Sequence, residues 1–315
     1  MKVTCKDFHG NYEWLNGSHE IPITKSMMMQ AAITEGAPTL QAYGFSGLHA
    51  ISFAIHKMSA ITSIANFSND NVTLPRGYDA LDPSEKNVLS YWMGMTMAKV
   101  MAEHFFGVPR LSHAFALNKL SVITLQDEES NVLPDFVGHD NDFNWFSIEA
   151  KCYKIRASET MREYWKGQAH QIAKVYGSDK LTHCYCFTKL KPKFSVELVD
   201  PPIVDPPIQK RKDGQEIKVD PMRMQNFYYR PFVELLDEKN LEVDNKLGVK
   251  YKEVAFDSIS RTKFSIGIML EVLDRLEKKD LVMGLQSINL EKVKNFVNSD
   301  TYIGSDGIAV KLETV

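Results

Sequence analysis

Long apolar runs are missing from this chain, and so is an apolar leader. MKVTCKDFHG at the N-terminus has no hydrophobic segment of the kind that opens a secretory signal. The most apolar stretch, Tyr91 to Phe106, is interrupted by Lys99 and Glu103. A spanning helix needs roughly 20 predominantly apolar residues, so this stretch reads as a buried core helix. A cytoplasmic protein without membrane contact is expected. Cysteine is scarce: Cys5, Cys152, Cys184 and Cys186 are the four present, and their spacing fits neither a zinc site nor a disulfide framework. An excess of one charge is also lacking. With 37 basic and 40 acidic residues the net charge is −3 and the pI near 6.3, which excludes a uniformly basic nucleic-acid coat. A local basic cleft remains compatible, because phosphate contacts need charge only where they are made. Phosphate-cradling glycine loops, dinucleotide fingerprints and internal repeats are absent, which excludes an NTP-driven motor within this chain.

What is present is ordinary globular material: 315 residues, 44% hydrophobic and 24% charged. That length suits one large domain or two ordinary ones. Residues 1–80 read as an accessory N-terminal region, with a helix over GLHAISFAIHKMSA, where Leu48, Ile51, Ile55 and Met58 fall at core spacing. Met27 to Met29 read as core filling or a partner contact, and His49 and His56, seven apart on one face, as solvent-facing or satisfied histidines rather than ligands. Residues 81–195 form the candidate core. Ser84 to Phe106 is predicted as a helix with Ser84 as N-cap and Gly107 past its end, and Arg110 to Leu125 as strand. Ser158 to Tyr176, closed by Gly177, reads as a helix with Met161, Trp165, Ala169, Ile172 and Tyr176 on its apolar stripe, and Thr182 to Leu190 as a strand. Proline gathers in residues 196–225, a linker or an extended arm with KRKDG at its tip. Residues 226–315 are again globular, with helices expected at Lys263 to Lys279 and Leu290 to Asn298 and a last strand at Ile308 to Leu312.

The informative segment is VLPDFVGHDNDFNWFSIEAKCYK, two short strands joined by a polar turn. Side chains alternate along a strand, so Trp145, Ser147, Glu149 and Lys151 share one face, and Phe146, Ile148, Ala150 and Cys152 the other. An acid and an amine on a strand this apolar need a partner or a task, because an unpaired buried charge is costly. Asp135 arrives from the neighbouring strand, and two acids beside an ammonium suit a divalent metal. His139, Asp140 and Asp142 in the intervening GHDNDFN read as turn chemistry. The residues alone leave another reading open: Asp135 as a turn cap, and Glu149 with Lys151 as a solvated pair stabilising by well under ~1 kcal/mol.

Pro134-Asp135, then Glu149-Ala150-Lys151, resembles the PD-(D/E)xK nuclease superfamily, and the order helix, three strands, helix, strand matches its core. The resemblance covers about the middle third of the chain. It implies an α/β restriction-endonuclease-like core, a mixed central sheet flanked by helices, here with N- and C-terminal helical extensions. It implies Mg²⁺, replaceable by Mn²⁺, held by Asp135, Glu149 and the Ala150 carbonyl, with Lys151 at the attacking water. Two further residues follow from the family pattern: Glu103 as an extra carboxylate from the first helix, and Gln168 as a helix glutamine reaching the site. Lys154 after the motif, and Lys166, His170 and Lys174 at four-residue steps along the later helix, are candidate phosphate contacts. The implied activity is phosphodiester hydrolysis on DNA, in restriction or antiphage defence. The alternatives are a non-catalytic nucleic-acid-binding module, or a subunit silent until joined by a helicase or sensor partner. A homo-oligomer is also expected.

Overall fold

The structure, a computed structural model, describes residues 1–36, 48–68, 71–125, 133–153, 157–178, 180–200, 215–236, 241–258, 261–278 and 300–315. Lys154, the KRKDG tip and the helix expected at Leu290 to Asn298 lie outside these residues. In chain order the N-terminal part carries β1 (Lys2–Lys6), β2 (Gly17–Glu20), α1 (Lys25–Thr34), α2 (Leu48–Ile64), and the hairpin β3 (Asn66–Ser68) and β4 (Asn71–Thr73). The middle carries α3 (Pro83–Phe106), β5 (Arg110–His113), α4 (Ala114–Lys119), β6 (Ile123–Leu125), β7 (Phe136–His139), β8 (Trp145–Tyr153), α5 (Glu159–Ala169), β9 (Ile172–Val175), β10 (Leu181–Lys189) and β11 (Ser195–Val199). The remainder holds β12 (Gln215–Val219), α6 (Pro221–Leu236), β13 (Leu241–Asp244), β14 (Val249–Asp257), β15 (Thr262–Met269), α7 (Leu270–Glu277), β16 (Thr301–Ile303) and β17 (Ile308–Thr314).

The chain is mixed α/β, built on a seven-stranded sheet in the order β2-β1-β11-β10-β8-β7-β5. The sheet is mixed: β8 runs parallel to β10 and β1 parallel to β11, while β7–β8, β5–β7, β10–β11 and β1–β2 are antiparallel. Helix α3 covers one face. Its entry is fixed by Asp82, whose carboxylate accepts from Ser84 N at 2.8 Å while Glu85 accepts from Asp82 N at 2.9 Å. The N-cap is therefore Asp82 rather than Ser84, with Pro83 at the first helical position, where its missing N–H costs nothing. The helix stops at Gly107 in the left-handed region, φ 64°. Met93, Met97, Met101 and Phe106 meet Phe136, Phe146, Ile148 and Ala150 beneath them. Helix α5 packs on the opposite face, where Ser147 Oγ donates to the Ala169 carbonyl at 2.7 Å and Trp165 packs on Tyr185 and Phe187.

Several sequence expectations change. Arg110 to Leu125 is a strand, a short helix and a second strand. The helix expected to reach Tyr176 ends at Ala169 and gives way to β9, whose Ile172 and Val175 are buried in a satellite core with Trp145 and Val137. The amphipathic helix expected over Lys263 to Lys279 is β15 followed by α7. The described part of the C-terminal region is accordingly not a purely helical extension: it is a five-stranded antiparallel sheet, β13-β14-β15-β17-β16, with α6 and α7 against it. The N-terminal region contributes β1 and β2 to the main sheet, so the sheet draws on chain outside residues 81–195. Among the described residues no helix is long and apolar enough to cross a membrane.

Candidate active site

Register places the motif. Phe136 pairs with Ile148 and Val137 with Ser147, so Asp135 lies just before β7, opposite Glu149. Alternation sends Asp135, Glu149 and Lys151 to the α5 face, away from α3. Two reciprocal bonds lock the acids together. Asp135 N donates to Glu149 Oε2 at 3.1 Å, and Ala150 N donates to Asp135 Oδ2 at 2.9 Å. One strand residue's N–H and C=O point to the same side, so the Ala150 carbonyl also faces Asp135. Lys151 Nζ donates to Glu149 Oε1 and lies 3.8 Å from Asp135 Oδ2.

Burial grades across the trio, with side-chain exposure of 1% for Glu149, 20% for Lys151 and 27% for Asp135. Desolvation chiefly, then the Asp135 charge, pushes the Glu149 carboxyl up to about 7 against the opposing pull of Lys151. Burial alone lowers the Lys151 pKa, but Glu149 and Asp135 outweigh it and hold the ammonium above its usual range. Two acids thus share one half-buried ammonium, too little positive charge for both.

Behind the trio stands a chain of buried partners that the sequence did not reveal. His113, at the end of β5, reaches the Asp135 carbonyl with Nδ1 at 3.2 Å and lies 3.5 Å from Glu35 Oε2 through Nε2. Glu35 in turn takes Lys57 Nζ at 2.7 Å. These residues come from β5, the end of α1 and α2, and no local pattern joins them.

A pocket of about 390 Å³ opens beside Lys151. Lys151 and Tyr153 form its strand wall, and Thr160, Met161, Tyr164, Trp165 and Gln168 its helix wall. Positions 161, 164, 165 and 168 follow the one-face spacing of a helix, so this wall was legible once α5 was placed. Gln168 therefore sits beside Lys151 as the sequence suggested, and its Oε1 is buried without a hydrogen-bond partner.

Other expected members are elsewhere. Glu103 is on α3, across the sheet from the trio, and is held by Lys99 Nζ at 3.2 Å and Ser305 N at 2.5 Å. That placement removes it from the metal set. Lys166, His170 and Lys174 form no single helical stripe, because α5 ends before His170. Lys166 pairs with Glu163 at 2.7 Å, His170 stacks on His183 with ring centroids 4.1 Å apart, and Lys174 lies on β9 with Glu216 at 3.7 Å. Asp140 does form the turn: its Oδ1 accepts from Asp142 N and Asn144 N, both at 2.9 Å. Among the described residues no group of three or more His, Cys, Asp and Glu side chains converges as a metal cluster. No family model, curated protein or solved structure matches the chain.

Proposed function

We propose that the chain is a metal-dependent phosphodiester hydrolase acting on DNA, with a restriction-endonuclease-like core. The observation that carries this reading is the convergence of Asp135, Glu149 and Lys151 on one spot at the start of β7, in register and on one face. The antiparallel β7–β8 pair, then α5, then β10 parallel to β8 follows the element order of that fold and supports it.

The donor set fits Mg²⁺, a hard cation that takes one or two carboxylates alongside waters and substrate phosphate. The raised Glu149 carboxyl marks a pair of acids short of positive charge, which is what a site built for a cation has before it binds one. Asp135, Glu149 and the Ala150 carbonyl would hold the ion, and when bound it supplies a water of lowered pKa and neutralises a phosphate oxygen. The remaining work belongs to the protein. Lys151, held by Glu149 and lining the pocket, stabilises negative charge building on the phosphoryl oxygens. The attacking water oxygen bonds to phosphorus and releases a proton to solvent as the phosphorus–oxygen bond to the leaving strand end breaks, and the leaving oxygen takes up a proton from solvent. Burial of Glu149 strengthens every charge interaction in the site.

Incubating plasmid, linear and single-stranded DNA with Mg²⁺, beside the Lys151→Ala protein, tests the reading. Cleavage that depends on Mg²⁺ and falls at least ~100-fold in the variant supports it. Equal cleavage by both proteins removes Lys151 from the chemistry. A second reading has its own observation: Lys151 already pairs with both acids, as in a closed structural ion cluster. Binding to DNA without cleavage, in Mn²⁺ as in Mg²⁺, would select a non-catalytic nucleic-acid-binding module.

A further inference from the structure

We infer that the pocket beside Lys151 receives one unpaired nucleobase of the substrate strand, so that the site acts on single-stranded or locally opened nucleic acid. The inference rests on the hydrolase reading above and deepens it. The pocket shares Lys151 with the acid pair, so whatever fills it lies next to the reacting phosphate. Its volume of about 390 Å³ falls within the roughly 300–1,000 Å³ range of small-ligand sites. Two tyrosines flank the opening, Tyr153 at 40% exposure and Tyr164 at 65%. Tyr153 is stacked on the buried Trp165 with centroids 5.5 Å apart and planes 22° off parallel, which holds its ring as a fixed platform. Exposed, pre-positioned aromatic rings are poor solvent neighbours but good stacking partners for an unstacked base.

The polar chemistry agrees. Gln168 Oε1 is a buried acceptor with no protein partner, on the pocket wall. Leaving such an acceptor unpaired costs about 1–3 kcal/mol, and a turn of the Gln168 side chain into the pocket would let the N–H of a nucleobase satisfy it. A duplex keeps its base faces stacked, so the tyrosine rings would find no partner on it. Phosphate attraction alone would favour the duplex, whose charge density is higher, so a preference for single strands has to come from the bases.

The test is binding of short single-stranded oligonucleotides without divalent metal, set against fully abasic strands of equal length and charge. Fluorescence of 2-aminopurine in the strand reports stacking. The parent should bind the base-bearing strand roughly 5- to 150-fold more tightly than the abasic one, the effect of one stacked base. Tyr164→Ala and Tyr153→Ala should each lose affinity for the base-bearing strand, quench 2-aminopurine less, and bind the abasic strand as the parent does. Tyr164 is largely exposed, so its removal leaves the core alone, and circular dichroism checks folding. Equal parent affinity for both strands overturns the pocket assignment. So does a free nucleoside monophosphate that binds more tightly than the strand. Mg²⁺-dependent cleavage in the separate assay judges the hydrolase reading by itself, so either idea can fail without the other.

Discussion

At the residue scale the site turns on Glu149, whose folded-state carboxyl is raised from its ordinary value of 4.5 to about 7. A raised carboxyl favours the protonated form in the fold. Its contribution to stability is complete below about pH 4.5 and is lost as pH rises through about 7. Metal binding needs the opposite form. The metal-free protein should therefore lose stability between about pH 4.5 and 7 on account of this group, and Mg²⁺ should raise Tm more at about pH 8 than at about pH 6. Asp135→Asn should raise the metal-free Tm near pH 8, because it removes the second-largest cause of the shift, and should abolish the Mg²⁺ increment. Scanning calorimetry at the two pH values reads both effects. An Mg²⁺ increment that is the same at both, or that survives in Asp135→Asn, would exclude a shared cation at this pair. These residues were legible because strand alternation and hairpin pairing are local rules. Glu103 was misplaced because helical spacing shows which residues share a face, not which side of a sheet that face will cover.

At the scale of elements, α3 and β8 are the structural support of the site. Gly94 sits where the helix crosses the strand, and a Cβ there would lie 3.0 Å from Cys152 Cβ and 3.3 Å from Lys151 backbone. Glycine in a helix interior is unfavourable by about 1 kcal/mol against alanine, so its presence here answers the close approach. Gly94→Val should destabilise by about 1–3 kcal/mol in urea unfolding and weaken the Mg²⁺-dependent rise in Tm, because the displaced strand carries Lys151. A variant as stable as the parent, with the full Mg²⁺ response, would show that the crossing does not position the motif. Elements were also where sequence reading failed most, for a definite reason. Ile266, Met269, Leu270, Leu273 and Leu276 satisfy helical spacing while straddling the end of β15 and the start of α7. The strand's own signal, Phe264, Ile266 and Ile268 at period two, was present but shorter. Ile172 likewise continued the α5 stripe by coincidence while folding into β9.

At the scale of the whole molecule, one buried aspartate joins parts distant in sequence. Asp306, 2% exposed between β16 and β17, accepts from Gln30 Nε2 at 3.0 Å and Tyr228 Oη at 2.6 Å, and lies 3.8 Å from Lys99 Nζ. Those partners sit on α1, α6 and α3, and Lys99 is itself wholly buried. The C-terminal sheet is thereby tied to the helix that backs β7 and β8. Nothing local could reveal this: Gln30 and Asp306 are 276 positions apart, and each reads alone as an ordinary polar residue. Burial of such a cluster is costly unless complete, and removing Asp306 takes an acceptor from Gln30 and Tyr228 and a counter-charge from Lys99 in a site closed to water. Asp306→Ala should therefore destabilise by about 3–5 kcal/mol, whereas Lys311→Ala, which breaks an exposed pair with Glu242, should change stability by about 0–1 kcal/mol. Trp14, Trp92, Trp145 and Trp165, the four tryptophans, all precede the C-terminal sheet, so their fluorescence follows the larger part while far-ultraviolet circular dichroism follows both. In the parent the two urea transitions should coincide. In Asp306→Ala the loss of circular dichroism should lead the tryptophan change, because the C-terminal sheet has been released from α1, α3 and α6. Coincident transitions at the parent's midpoint in that variant would mean that the apolar interface alone couples the two parts.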